Sequence, residues 1–217
     1  MHARSIRYLP TLLAALLCAK AMTASAACLT DHEVAQLLTA YETTTPAATP
    51  SGLTTADGAC TRAKLNEALQ AQLGPPVGYK AGLTNPAVQQ RFKHDAPVRG
   101  TLYGPMLLAD GATVDAQFGA RPLFEADMLV RVSDASINQA NSPADVLAAI
   151  DQLIPFIELP DLLVADPGAL NGAAIMAINV GARLGVTGTP IAMQNSAAFS
   201  NMLRDMQIVV RLSLIHI

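Results

Sequence analysis

The amino-acid sequence predicts an α+β fold. Segments with helical spacing and segments with strand alternation are interspersed, without the strict βαβ order of a parallel sheet. One stretch, Phe124 to Val132, alternates clearly enough to be a strand with two unlike faces. The 217 residues allow one domain with a real core, or one domain with short appendages.

The elements follow in order. Arg4, Arg7, the apolar run Leu9 to Leu17 and the small residues Ala24-Ser25-Ala26 read as a secretory signal over residues 1–26. An uncleaved anchor is the alternative, although the run is short for a span and Lys20 interrupts any extension of it. Residues 27–76 form a helical segment. Thr30 and Glu33 make a capping box before Val34, Leu37, Leu38 and Tyr41, so a helix is expected over about Asp31 to Tyr41. Thr43 to Gly58 reads as a loop, and a second helix as Arg62 to Leu73, stopped by Gly74-Pro75-Pro76.

A larger unit is expected over residues 77–211. It opens with a strand, Val77 to Leu83, and a short helix capped by Asn85 with Pro86 in its first turn. Leu102 to Leu108 and Thr113 to Asp115 are expected strands, followed by Phe124 to Val132. Ser142-Pro143 should start a helix whose stripe includes Val146, Leu147, Ile150 and Leu153-Ile154. Pro155 to Leu159 reads as a strand, Ala169 to Asn179 as a helix and Gly181 to Val186 as a strand. A helix near Ala197 to Arg204 and a strand Met206 to Arg211 close the unit. Residues 212–217 read as a non-native, adapter-encoded tail, so the fold is expected to be incomplete at its C-terminus. A genuine apolar strand is the alternative.

Composition narrows the function. The net charge is −3, Trp is absent and aromatic residues make up 4%, which argues against a nucleic-acid surface. Signal cleavage would leave Cys28 and Cys60, and an even pair in an exported chain is most simply a disulfide. The expected location is periplasmic or secreted, with no stable membrane span after cleavage.

Four charged residues stand out. Glu125 and Asp127 lie two apart on one strand, so both carboxylates leave the same face. They either share a hard divalent cation that offsets their mutual repulsion or simply meet water or Arg131. Glu158 sits within the apolar run Ile154 to Pro160, where a carboxylate needs a partner unless it points outward. Lys80 lies among small and apolar residues in Gly78 to Thr84, and a buried ammonium can exchange protons with a bound acid. Taken alone, it would more often be a surface lysine.

These fragments together resemble the fumarylacetoacetate hydrolase superfamily, in particular its 2-oxo-4-pentenoate hydratase branch. Gly78-Tyr79-Lys80-Ala81-Gly82-Leu83-Thr84 resembles the family's G-x-K-x-G-L-T segment. Pro122-Leu123-Phe124-Glu125-Ala126-Asp127 resembles its P-x-x-E-x-E strand, and Pro155-Phe156-Ile157-Glu158 its P-x-x-E segment. The resemblance implies a mixed β-roll with flanking helices. It also implies Mg²⁺ or Mn²⁺ held by Glu125, Asp127 and Glu158, and a small 2-oxo acid near Gly82, Leu83 and Thr84. Lys80 would shuttle a proton during enol–keto exchange, and a homo-oligomer is expected for the full-length protein. Four places depart from the pattern, the first being Pro97-Val98-Arg99-Gly100, which stands where the family has a P-D-F-G turn and so lacks its acid. Asp127 replaces a Glu, Leu162-Leu163 stand where a polar pair is usual, and Ile178-Asn179 replace an Asp-Asn pair. The implied reaction is that of a lyase, hydratase or hydrolase. A non-enzymatic small-acid binder that kept the fold is the alternative.

Overall fold

The computed structural model describes residues 28–211 and 213. The signal and most of the tail discussed above lie outside the described residues. Helices α1 (Asp31–Thr43) and α2 (Thr55–Leu73) come first, then β1 (Pro76–Gly82), α3 (Pro86–Arg91), β2 (Val98–Tyr103) and β3 (Leu107–Leu108). After them come β4 (Glu125–Val132), α4 (Pro143–Ala149), β5 (Ile150–Leu159) and α5 (Gly172–Ala177). The last elements are β6 (Leu184–Thr187), β7 (Ile191–Ala192) and α6 (Ala197–Arg204).

Two sheets result. Strands β1 and β2 form an antiparallel pair, and the second sheet runs β3-β6-β5-β4 with β7 also on β5. The main core lies between α1, α2, α5 and the β1–β2 pair. It is built on Leu37, Leu65, Leu69, Tyr103, Met106 and Ile175. Tyr103 is fully buried and its hydroxyl donates to the Asn66 carbonyl at 2.9 Å, which ties β2 to α2. Cys28 and Cys60 form a disulfide with Cα atoms 5.5 Å apart, which joins the chain ahead of α1 to α2. No helix among the described residues is long and apolar enough to cross a membrane.

Several sequence expectations need correction. The second helix begins at Thr55, two turns before Arg62, on a capping box in which the Thr54 hydroxyl accepts from the Asp57 amide and the Asp57 carboxylate accepts from the Thr54 amide. Gly58 disguised that start. It sits in the helix because a Cβ there would lie 2.3 Å from the Ala173 carbonyl oxygen of α5. The strand expected over Leu102 to Leu108 breaks at Gly104-Pro105, where proline has no N–H to donate to a sheet, and Thr113 to Asp115 is not a strand. The helix expected to include Ile150 and Leu153-Ile154 ends at Ala149, because those residues start β5. An apolar run of that kind fits a buried strand as well as a helix, and pairing with β4 along the run and with β7 at Gln152 and Leu153 decided it. Met206 to Arg211 carries no strand pairing. It shares a cavity lining with Phe124, Ile157 and Ile191, and Val209 is 73% exposed.

Candidate active site

Strands β4 and β5 pair antiparallel with Glu125 opposite Glu158 and Asp127 opposite Phe156. The two-residue period therefore puts Glu125, Asp127, Phe156 and Glu158 on one face of the sheet. Phe156 and Glu158 are buried, whereas Glu125 and Asp127 are open to solvent. Lys80 reaches the same place from β1 in the other sheet, and its ammonium forms an ion pair with Glu158. All four charged residues line a cavity of about 640 Å³, and so do Gly82, Leu83 and Thr84. The structure thus brings Lys80, Gly82, Leu83, Thr84, Glu125, Asp127 and Glu158 to a single cavity.

The electrostatics follow from this placement. Burial pushes the Glu158 carboxyl above the usual carboxylate range; Lys80 opposes the shift, and Glu125 and Asp127 add to it. Two glutamates directly opposite on neighbouring strands repel unless a cation stands between them. Arg131 does not serve Glu125 or Asp127. It is taken by Asp151 in a two-pronged pair, with Nε 2.7 Å from Oδ1. Among the described residues no group of three His, Cys, Asp or Glu side chains is already gathered as a ligand set. Glu158 is engaged by Lys80, and Asp127 Oδ1 accepts from the Met128 amide at 2.7 Å. Oxygen donors of the kind a hard divalent ion takes do face one cavity, Glu158 buried and Glu125 and Asp127 exposed.

The backbone around the site is held in unusual conformations. Leu83 has φ 53° and Val180 φ 56°, and both line the cavity. Positive φ is rare for non-glycine residues, rarest for a β-branched one, and clusters at functional sites. Val180 is held there by its neighbour Asn179, which is 1% exposed. The Asn179 side chain accepts from the Thr101 amide at 2.8 Å and donates to the Thr101 carbonyl at 2.9 Å. Gly100 lies opposite Lys80, and a Cβ there would come 2.7 Å from the Asn179 carbonyl oxygen and 2.9 Å from Lys80 Cγ.

Sequence reasoning missed residues that hold the strands and loops bearing Glu125 and Glu158. Asp161 is 3% exposed and accepts from the amides of Ala120, Arg121 and Leu163 at 3.0, 2.7 and 2.9 Å. It thereby fixes the loop that delivers Glu125. Gly185 pairs with Glu158, and the Phe156 ring lies over it so closely that a Cβ would meet Cζ at 1.9 Å. The one available signal for Asp161 was an acid in an apolar run; for Gly185 it was a glycine inside a strand.

Comparison with known proteins places this arrangement in context. No family model matches the chain. It is 33% identical over 85 residues to 2-keto-4-pentenoate hydratase 1 of Dechloromonas aromatica, covering 39% of this chain and 32% of the relative. It is 32% identical over 85 residues to 4-oxalocrotonate decarboxylase of Pseudomonas putida, covering 39% and 32%. The match thus spans about a third of the length of these curated relatives. Among solved structures, 4-oxalocrotonate decarboxylase from Pseudomonas putida G7 complexed with magnesium and adipate superposes with a TM-score of 0.66. It is 23% identical, covering 75% of this chain and 63% of that one. The same enzyme complexed with calcium and acetate gives a TM-score of 0.63 at 24% identity, covering 75% and 62%. The protein therefore has the fumarylacetoacetate hydrolase-like fold, and over these segments it is a homologue of the 2-keto-4-pentenoate hydratases and 4-oxalocrotonate decarboxylases.

Proposed function

We propose that the protein is a metal-dependent lyase or hydratase acting on a small 2-oxo acid through an enol or enolate. The observation that carries this reading is the meeting of Glu125, Asp127, Glu158 and Lys80 at one cavity, with two glutamates face to face across strands. Glu125, Asp127 and Glu158 would hold Mg²⁺ or Mn²⁺. When bound, such an ion supplies Lewis-acid polarisation of an oxo group. The chain's own residues do the rest. Lys80, 11% exposed at its side chain, holds or takes a proton at the carbon next to the oxo group. Leu83 and Val180, fixed in their strained backbone, present an apolar wall that limits water at that carbon. The naming of the relatives as hydratases and a decarboxylase, and of a structural neighbour as a magnesium complex, supports the same reading.

The test is deuterium exchange at that carbon, followed by NMR with oxaloacetate or a 2-oxo-pentenoate. Exchange should need Mg²⁺ or Mn²⁺ and disappear in Lys80→Met. Exchange that continues without metal, or in Lys80→Met, would overturn the assignment. A second reading, a non-enzymatic small-acid binder, draws on Leu162, which lines the cavity where the family pattern has a polar residue. Metal and acid binding with no exchange would favour it.

Export is also proposed. Its support is the basic start and apolar run of the signal, Ala24-Ser25-Ala26, and the Cys28–Cys60 disulfide, which persists in oxidising compartments. The mature protein recovered from a periplasmic fraction should begin near Ala27. An intact Met1 on a cytoplasmic product would rule this out.

A further inference from the structure

Lys80 and Glu158 meet across a gap between sheets. Lys80 lies on β1 and Glu158 on β5, and among the described residues no strand pairing joins those two sheets. The turn Asn179 to Gly181 spans the gap. Its three residues all have positive φ, 53°, 56° and 67° in order. On one side, the Asn179 side chain holds both the amide and the carbonyl of Thr101 in β2. On the other, the Gly181 carbonyl accepts from the Asp161 amide at 2.9 Å, just beyond Glu158 in the chain.

Val180 is the wedge of this turn. Gly82 follows Lys80 by two on β1, and Gly100 is the β2 partner of Lys80, so both glycines share its face of the ribbon. A Cβ on Gly82 would lie 2.5 Å from Val180 Cγ1. One on Gly100 would lie 3.2 Å from Val180 Cβ and 2.9 Å from Lys80 Cγ. The bare backbone there lets Val180 sit beside the lysine stem. Glycine would take a φ of 56° without strain, whereas a β-branched residue takes it at a cost. The cost has a reason if the γ-carbons of Val180 are needed where they are.

We infer that Val180 is a positioning residue: clamped by Asn179, it wedges the β1–β2 pair against the end of β5 so that Lys80 reaches Glu158. Its bearing on proton transfer rests on the function proposed above, whereas the placement itself does not.

Competitive acetylation read by mass spectrometry tests the placement without metal or substrate. Lys80, 11% exposed at its side chain and paired with Glu158, should react slowly beside the exposed Lys93. Val180→Gly keeps the backbone of the turn and removes the wedge, so the ratio of Lys80 to Lys93 labelling should rise about tenfold. Val180→Ile retains both γ-carbons and should match the parent. An unchanged ratio in Val180→Gly overturns the inference, and so does an equal rise in Val180→Ile. Should the glycine variant not fold, Val180→Ala removes the same γ-carbons and is read in the same way. In the exchange assay, Val180→Gly should lower kcat about tenfold and leave KM nearly unchanged, because the lysine rather than the bound acid is misplaced. Exchange with an unaltered kcat overturns the inference. If the parent shows no exchange, the proposed function falls alone, and the acetylation ratio still decides the placement.

Discussion

The two faces of the β4–β5 pair are built on opposite rules. The cavity face carries Glu125, Asp127 and Glu158, with Glu158 only 4% exposed. The outer face carries Phe124, Val130, Val132 and Ile157, which are 57, 50, 50 and 51% exposed. A strand pair on a solvated surface normally turns its apolar side inward and its carboxylates to water. Here Glu158 is buried against Lys80, Glu125 and Asp127 line the same cavity while open to solvent, and hydrocarbon is exposed on the other face. The charged residues of these strands thus follow the cavity they line, whereas apolar residues of the other face are left exposed among the described residues.

Four experiments would sharpen or break that contrast. The largest effect belongs to Lys80→Met, which strips the buried Glu158 of its partner. Breaking such a pair should cost about 3–5 kcal/mol in urea unfolding without metal. Saturating Mg²⁺ should recover part of it, by about 2.7 kcal/mol at a hundredfold excess over the dissociation constant. A loss below 1 kcal/mol would mean that the pair is not buried in solution. Next comes Gly185→Ala, whose new methyl group collides with the Phe156 ring beneath the carboxylates. Overpacking of this kind should cost about 1–3 kcal/mol and lower the melting temperature. An unchanged melt would show that the ring is free to move.

The third experiment compares the faces directly. Glu125→Gln should weaken Mg²⁺ binding more than about tenfold in calorimetry, whereas Val132→Thr on the outer face should leave it unchanged. Equal effects would dissolve the distinction between the faces. The smallest effect concerns the exposed Arg131–Asp151 pair at the far end of the same strands. The Arg131 guanidinium, mainly through its hydrogen bonds, holds the Asp151 carboxyl below the usual aspartate value of 3.8. A depressed carboxylate stabilises the fold above its unfolded pKa and loses that contribution as pH falls through the folded one. Arg131→Ala should therefore flatten the acid limb of the stability curve below about pH 4, and the two proteins should converge at still lower pH. Added salt should shrink the difference at neutral pH, as it does for exposed ion pairs. An acid limb identical to that of the parent would show that the pair is not formed in solution.

Some of this was legible in the sequence because it depends on neighbours along the chain. The α1 cap needs only Thr30 and Glu33, and the shared face of Glu125 and Asp127 needs only the period of a strand. The α+β class followed from interspersed local patterns, and the family resemblance from short motifs around Lys80, Glu125 and Glu158. Tertiary structure decided everything that depends on partners distant in sequence. Ile150 became strand because β4 pairs it with Val132 and β7 pairs the adjoining Gln152 and Leu153, and Met206 to Arg211 lacked such partners. Asp161, Asn179 and Gly185 gained their roles from amides, carbonyls and a ring brought up by other segments. Lys80 and Glu158 are 78 positions apart, and no local pattern records that their charges meet. Side-chain type and spacing are properties of the chain, but burial and pairing are set only when the remote surfaces close on one another.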